Sequence, residues 1–183
     1  MTRGIKAGDI APSFQTNDLW GTSINVPSHD KWIYLSFHRF ATCPFCNLRT
    51  NELINNYESF KIENIEVLSI WPSSKVRLLY YASEDKTPFP MISDENKKIY
   101  SAYGVTKSSF FGAVKIFFHP QLVLKALKQK NKKIEIDSDP QLLPASFLID
   151  PFGVVKMTYY GTHIGDHPSI ETILQTKKKC ESK

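Results

Sequence analysis

Two cysteines spaced C-x-x-C, Cys43 and Cys46, stand between an apolar run and a helix-like run. The run before them, residues 32–37, is apolar on both faces and predicts a central strand covered on both sides, as in parallel α/β sheets. The run after them, from Pro44 to about residue 60, carries the rough apolar stripe of a helix. A strand, a C-x-x-C pair and a helix in this order indicate a redox-active dithiol more strongly than the spacing alone does.

The chemistry of this pair depends on where the helix begins. Proline suits the first helical position because its missing N–H would be unpaired there anyway, so Pro44 places Cys43 at or next to the N-cap. Unpaired backbone N–H groups and the positive end of the helix dipole then favour a thiolate at Cys43. Cys46, in the first turn, lies close enough to close a disulfide with it. His38 and Arg39 are near enough in sequence to tune the thiolate.

The expected exposure of the two sulfur atoms gives each cysteine a role. A nucleophilic thiolate needs access to its substrate as well as a lowered pKa. Cys43 is expected on the open side of the helix end and Cys46 one turn in, facing the core. We therefore expect Cys43 to be the nucleophile and Cys46 to resolve the intermediate.

Two other interpretations of the pair are a zinc site and a pair of buried structural thiols. A zinc site needs two more ligands at suitable spacing. Cys180 lies in a charged tail, and His163 and His167, although spaced H-x3-H, lie far along the chain. We expect neither a metal nor an organic cofactor. Structural thiols stay open as an alternative, since free cysteines are often small buried hydrophobes.

Length and composition favour one ordinary globular domain. The chain has 183 residues, 22% of them charged, and we expect a single domain over 1–183. It has no apolar run as long as a membrane span and no apolar N-terminal stretch of the secretory kind, which predicts a cytoplasmic protein. Disulfides in that compartment are more often catalytic than structural. The net charge of +5 comes partly from lysines in 177–183, a tail expected to be flexible, and predicts no nucleic-acid binding.

The remaining pattern predicts an α/β fold with a central mixed sheet flanked by helices. A short N-terminal hairpin with Phe14 packed inward precedes the C-x-x-C unit, and residues 65–71 predict a strand parallel to 32–37. Residues 144–150 and 154–160 predict an antiparallel pair joined by a tight turn. An insert at about 106–140 predicts two amphipathic helices, broken near Pro120, that cover one side of the domain. A substrate lid, a dimer surface and a membrane-surface helix stay open as alternatives. The insert's aromatic residues, expected to be hidden, are Phe110, Phe111, Phe117 and Phe118.

Several motifs outside the cysteine pair match one known family. The chain resembles the C-P-x-C variant of the AhpC/TSA peroxiredoxin-like (redoxin) branch of the thioredoxin superfamily. The resemblance covers most of the chain except 106–140 and the tail, and it implies a thioredoxin-like fold. The motifs that carry it are Gly8-Asp9-x-Ala11-Pro12-x-Phe14, Asp18-Leu19-x-Gly21, residues 37–49, Pro88-Phe89-Pro90-x-Ile92-Ser93-Asp94, Ala102-Tyr103-Gly104-Val105 and Leu143-Pro144-Ala145-Ser146-Phe147-Leu148-Ile149-Asp150-Pro151-x-Gly153.

The chain departs from the peroxiredoxin pattern around the cysteines. The peroxidatic cysteine of that family lies in P-x-x-x-T-x-x-C; placing Cys46 there puts Cys43 at the threonine and Arg39 at the proline. This register would make Cys46 the attacking cysteine, the reverse of the assignment from exposure. Where the family has an arginine before the phenylalanine strand, this chain has Pro144, which matches the cis-proline of thioredoxins and implies a substrate groove. Arg39 or Arg49 is then the candidate for the missing positive charge.

The resemblance and the C-x-x-C pair together predict a thiol-disulfide oxidoreductase that uses a Cys43–Cys46 dithiol–disulfide cycle. A thiol-dependent peroxidase is the alternative within the enzymes. A non-catalytic binding module with a redox-sensing disulfide is the alternative outside them. A thioredoxin-like or glutathione reductant and a disulfide or peroxide substrate are the implied partners. The oligomeric state is left open by the sequence.

Overall fold

The computed structural model describes residues 4–82, 87–105, 120–127 and 135–182. Its strands are β1 (Phe14–Asn17), β2 (Ser23–Val26), β3 (Trp32–Phe37), β4 (Ile65–Trp71), β5 (Met91–Ser93), β6 (Ala145–Ile149) and β7 (Val155–Tyr160). Its helices are α1 (Pro44–Asn55), α2 (Tyr57–Ile62), α3 (Lys75–Ala82), α4 (Lys98–Ala102), α5 (Pro120–Leu127) and α6 (Ile170–Glu181). No helix in the described ranges is long and apolar enough to cross a membrane.

The central sheet is mixed, as the sequence predicts. Its strand order is β5-β4-β3-β6-β7, with β3, β4 and β5 parallel and with β6 and β7 each antiparallel to its preceding neighbour in the sheet. Strands β1 and β2 form the predicted N-terminal hairpin as a separate two-stranded sheet. All six residues of β3 are buried, which confirms its prediction as a central strand.

The two faces of β3 belong to two hydrophobic clusters. Ile33, Leu35 and Phe37 point into one cluster, where Phe37 meets Tyr100 and Phe147 edge to face at centroid distances of 5.0 and 5.6 Å. Trp32 and Tyr34 point into the other cluster, which also contains Leu53 of α1 and Ile173 of α6. Alternation along the strand thus puts α1, which carries the cysteines, on the face opposite Phe37.

The helix predicted from Pro44 to about residue 60 is interrupted at Asn56. Helix α1 ends at Asn55, and α2 begins at Tyr57. The Asn56 side chain donates to the carbonyl oxygen of Glu52 at 2.8 Å, and the Asn56 backbone N–H donates to the same oxygen at 3.2 Å. Such side-chain bonds to nearby backbone compete with a continuous helix.

The insert is helical only in part of its described residues. Helix α5 begins at Pro120, at the predicted break, and packs against α1. Residues 135–140, predicted as helix, are irregular instead. The Asp139 side chain accepts the N–H of Gln141 and its carbonyl accepts the N–H of Leu142, so the chain turns here. Phe110, Phe111, Phe117 and Phe118 lie outside the described residues.

The C-terminal tail was wrongly predicted to be flexible from residue 177. Helix α6 continues to Glu181, and its N-cap Ser169 accepts the N–H of Thr172. Lys177 is buried rather than solvated, with its Nζ atom 2.7 Å from Glu181 and 3.4 Å from Glu63. The pair with Glu63 ties the last turns of α6 to the end of α2. Cys180 is half-buried and packs on the second cluster.

Candidate active site

The cysteine pair lies where β3 leaves the sheet and α1 begins. Cys43 is the N-cap of α1, in an extended conformation, and Pro44 opens the helix, as predicted. Cys46 follows in the first turn, and both thiols are free. Both residues are 0% exposed, so the predicted difference in exposure is wrong. The sulfur atoms differ in their electrostatic surroundings instead.

Arg39 joins both cysteines to a distant segment of the chain. Its Nη1 atom donates to the Sγ atom of Cys43 at 3.4 Å, and its backbone N–H donates to the Sγ atom of Cys46 at 3.3 Å. Its Nε atom donates to the carbonyl of Leu142 at 2.8 Å, and its Nη2 atom donates to the carbonyl of Pro140. The guanidinium is therefore held in a buried position by two carbonyl oxygens, with its third nitrogen directed at Cys43.

These contacts separate the acidities of the two thiols. Burial opposes ionisation of Cys43, but the Cys46 thiol donates to its sulfur and the charge of Arg39 is close, so the pKa of Cys43 falls to about 7. Burial and the adjacent Cys43 raise the pKa of the Cys46 thiol well above its ordinary value. With a pKa of about 7, Cys43 is roughly half thiolate at neutral pH, while Cys46 stays protonated.

Removing the charge of Arg39 should weaken this thiolate. We expect Arg39→Gln to raise the pKa of Cys43 by about 1–3 units, the usual effect of losing an adjacent opposite charge. The thiolate absorbance in the ultraviolet, followed against pH, measures it. Lys61→Gln, which removes an exposed cation on α2, is the matched control and should leave the titration unchanged. Identical titrations for both variants would contradict a role for Arg39.

His38 does not provide positive charge to the site. Its ring stacks on the indole of Trp71 at 4.0 Å, and both of its nitrogen atoms are buried. Burial, and then the charge of Arg49, lower its pKa to about 3, so the ring is neutral at physiological pH. Trp71 was not identified as a site residue from the sequence. The predicted parallel pairing of β3 and β4 is the signal that could have identified it, because this register places Trp71 beside His38.

Arg49 contacts residues of α1 and β3 rather than the cysteines. Its guanidinium bonds are with Glu52, at 2.6 Å, and with the hydroxyl of Tyr34, at 2.7 Å. Tyr34 donates in turn to Ser146 across the sheet at 2.9 Å. Of the two arginines proposed to replace the missing family arginine, Arg39 is therefore the one that contacts a cysteine sulfur in the described structure.

Pro144 does not have the geometry expected from thioredoxins. The Leu143–Pro144 peptide bond is trans, so the prediction of a cis bond here is wrong; the cis bond in the described residues is Val26–Pro27. Pro144 is buried, and its carbonyl accepts the N–H of Gly161 at 2.9 Å. A Cβ atom on Gly161 would lie 2.9 Å from Pro144, so the close approach depends on glycine.

The end of the predicted insert and the two residues after it contact the loop that carries the cysteines. We call Glu135–Leu142 the cover segment. It meets the C-x-x-C loop through Thr42 and Arg39, and it meets the start of α3 through Ser73 and Arg77. No motif signals this contact, because the partners are about a hundred residues apart in sequence.

Neither histidine of the H-x3-H pair joins the cysteines in a metal-binding group. Within the described ranges, no cluster of three or more histidine, cysteine or acidic side chains is placed to hold a metal ion. His167 lies near His38 instead, with 6.2 Å between ring centroids. Burial, and then the charge of Arg49, lower the pKa of His167 well below its ordinary value.

Comparisons with known proteins found similar sequences and similar folds. A model of the AhpC/TSA family matches residues 7–158. The putative peroxiredoxin bcp of Buchnera aphidicola subsp. Schizaphis graminum is 26% identical over 176 residues, which cover 95% of this chain and 97% of that protein. The crystal structure of the peroxidoxin BcpB from Mycobacterium tuberculosis superposes with a TM-score of 0.69 at 17% identity, covering 96% of this chain and 97% of that one.

A third protein shares the fold at a similar level. A yeast mitochondrial 1-Cys peroxiredoxin, whose structure describes thiol resolution through glutathione and thioredoxin systems, superposes with a TM-score of 0.68 at 16% identity. The match covers 97% of this chain and 77% of the yeast chain. These likenesses show a thioredoxin-like fold of the peroxiredoxin kind, as the sequence predicts.

Proposed function

Because the chain belongs to the AhpC/TSA family, we propose that it is a thiol-dependent peroxidase that uses a Cys43–Cys46 dithiol–disulfide cycle. The observation that supports this most is the Cys43 sulfur held between the Arg39 guanidinium and the Cys46 thiol. A thiolate is the nucleophilic form of cysteine, and a nearby cation also stabilises the negative charge that develops on the oxygen leaving a peroxide.

In the first half of the cycle, the Cys43 thiolate attacks one oxygen of a hydroperoxide ROOH. The S–O bond forms as the O–O bond breaks, the two electrons of the sulfur reduce the peroxide, and RO⁻ takes up a proton to leave as an alcohol or water. Cys43 becomes a sulfenic acid. The Cys46 sulfur then attacks the Cys43 sulfur and loses its proton, hydroxide leaves as water, and a Cys43–Cys46 disulfide forms.

The second half of the cycle requires an external dithiol or two molecules of a monothiol. Exchange with such a reductant returns both cysteines to thiols. The yeast relative is described with glutathione and thioredoxin systems, which supports these two classes of reductant for this chain. We propose that the protein is cytoplasmic, because reductants of this kind keep thiols reduced in that compartment. We also propose that residues 1–183 form one domain.

Steady-state turnover tests the proposal. The full chain should consume hydrogen peroxide or an organic hydroperoxide over many cycles when thioredoxin with its reductase, or glutathione with its reductase, regenerates it. Insulin disulfide reduction serves as the comparison substrate. Multiple turnovers with a peroxide support the proposal, whereas a single stoichiometric oxidation with every reductant would favour the redox-sensing module.

Disulfide exchange with protein substrates is the second candidate function. The C-x-x-C spacing at a helix N-terminus favours it. The burial of both cysteines is unfavourable for a protein partner. Turnover of insulin faster than of either peroxide would make this the main activity.

A further inference from the structure

The cover segment is attached to the site loop by its backbone. The carbonyl of Glu135 accepts the hydroxyl of Thr42 at 2.7 Å, and the N–H of Glu135 donates to that hydroxyl at 3.1 Å. Thr42 directly precedes the nucleophile. The segment therefore passes over the loop that carries Cys43, within hydrogen-bond distance of the neighbouring residue.

A second set of contacts attaches the cover segment to the start of α3. The Nη1 atom of Arg77 lies 2.6 Å from a carboxylate oxygen of Glu135, and its Nε atom lies 3.7 Å from Asp137. Ser73 donates to Asp137 at 3.0 Å and accepts the N–H of Ala41 at 2.9 Å. The ion pair between Arg77 and Glu135 is partly exposed and individually weak, whereas Ser73 is buried. The exposed pair is the part of this anchorage that local opening can break.

Arg39 links the cover segment to the sulfur atom of Cys43. Two of its nitrogen atoms donate to carbonyls of the cover segment, those of Leu142 and Pro140, and a third donates to the Cys43 sulfur. The same guanidinium therefore contacts both the cover segment and the nucleophile, so its position depends on where the cover segment lies. Moving the cover away removes the two carbonyls that hold Arg39 against the sulfur.

We propose that the cover segment is a gate over Cys43 that selects small hydroperoxides over protein disulfides, and that Arg39 couples the gate to the nucleophile. This inference rests on the proposed function and adds the segment that controls access to Cys43. Both sulfur atoms are fully buried, so every substrate needs some opening. A two-oxygen molecule needs only a small displacement that leaves Arg39 in place. A protein partner needs the whole segment lifted, and Cys43 then loses the charge that favours its thiolate.

Two variants loosen the gate without changing Arg39 or either cysteine. Glu135→Gln with Asp137→Asn removes both carboxylates that face Arg77. Thr42→Val is close to isosteric and removes the hydroxyl that holds Glu135. Glu58→Gln, which breaks an exposed ion pair with Lys61 on α2, is the matched control. Urea unfolding of each variant identifies any protein that is not folded.

The reactivity of Cys43 toward two alkylating agents of different size, measured across pH, tests the gate. In both loosened variants, alkylation by a polyethylene-glycol maleimide should rise about three- to fivefold, while that by iodoacetamide should rise less. The midpoint of the pH profile should move to higher pH, which a purely structural role would not cause. The ratio of turnover with cumene hydroperoxide to turnover with hydrogen peroxide should rise.

Equal increases for both reagents, or a pH midpoint that does not move while access increases, would overturn the proposal. So would changes of the same size in Glu58→Gln. The alkylation experiment needs no turnover. If the variants behave as expected but no peroxide is consumed, the gate stands and the proposed peroxidase function fails.

Discussion

Replacing Cys43 by serine should remove peroxide turnover, with a loss on the order of a thousandfold or more, because the thiolate that makes the new S–O bond is gone. Cys46→Ser should also stop steady turnover, for a different reason. It keeps a fast-reacting thiol of low pKa, which oxidises once to a sulfenic acid and then forms mixed disulfides with added thiols. The expected difference between the variants is thus which sulfur carries the first oxygen.

Mass spectrometry after trapping sulfenic acid with dimedone locates that sulfur. Cys180→Ser is the control, because Cys180 packs on the second cluster rather than in the cluster that holds Cys43 and Cys46. Its turnover should equal that of the unmodified chain. A fast thiol that persists in Cys43→Ser, together with sulfenic acid on Cys46, would contradict the assignment. The register of the peroxiredoxin motif would then be the correct guide.

Mild acid should unfold the protein through His38 and His167. Both rings are buried and neutral, with the charge of Arg49 near each, and the pKa of His38 is lowered to about 3. Below the unfolded value near 6.5, the unfolded chain binds protons that the folded chain excludes, so stability falls as the pH falls. Each ring contributes a slope of about 1.4 kcal/mol per pH unit. From pH 6.5 to pH 5 the two together should cost about 3 kcal/mol, because the slope reaches its full value only below pH 6.5, and this is a large part of a typical folding free energy.

Urea unfolding at several values between pH 7 and pH 5 measures this slope. His38→Asn and His167→Asn should each lower the slope by about half. The exposed His29 offers a matched variant, His29→Asn, which should leave it unchanged because solvent surrounds that ring in both states. A stability that is flat between pH 7 and pH 5, or equal slopes for all three variants, would show that these rings are protonated in the folded protein.

The parts of the fold that depend on neighbouring residues could be predicted from the sequence. The apolar run before the cysteines gave β3, and Pro44 gave the start of α1, because both depend on local periodicity and backbone chemistry. Residues 65–71 form β4 with the predicted bounds. Pro44 and the two cysteines therefore define the centre of the site from the sequence alone.

The parts that depend on distant residues could not be predicted. Lys177 is helical and buried because Glu63, 114 residues earlier, lies beside it, and a lysine run alone reads as a solvated tail. Cys43 is buried in a cluster with Trp71, Leu78 and Met91, which are distant in sequence, and the neighbouring Thr42 bonds Glu135 from 93 residues away. Its exposure was therefore predicted wrongly, although its position at the helix N-cap was correct. Arg39 was among the predicted tuning residues, but only its carbonyl partners show how it reaches the sulfur.

The position of Arg39 also has a consequence for the reduction potential of the pair. When the disulfide forms, the negative charge on Cys43 disappears, while the guanidinium stays buried beside the neutral carbonyls of Pro140 and Leu142 and the ring of Phe40. The dithiol form is thus stabilised relative to the disulfide, and the potential moves in the oxidising direction. The shift approaches about 30 mV per unit by which the pKa of Cys43 is lowered, once the pH is high enough for the thiolate to be fully formed. A disulfide held beside this arginine is therefore readily reduced by small thiols.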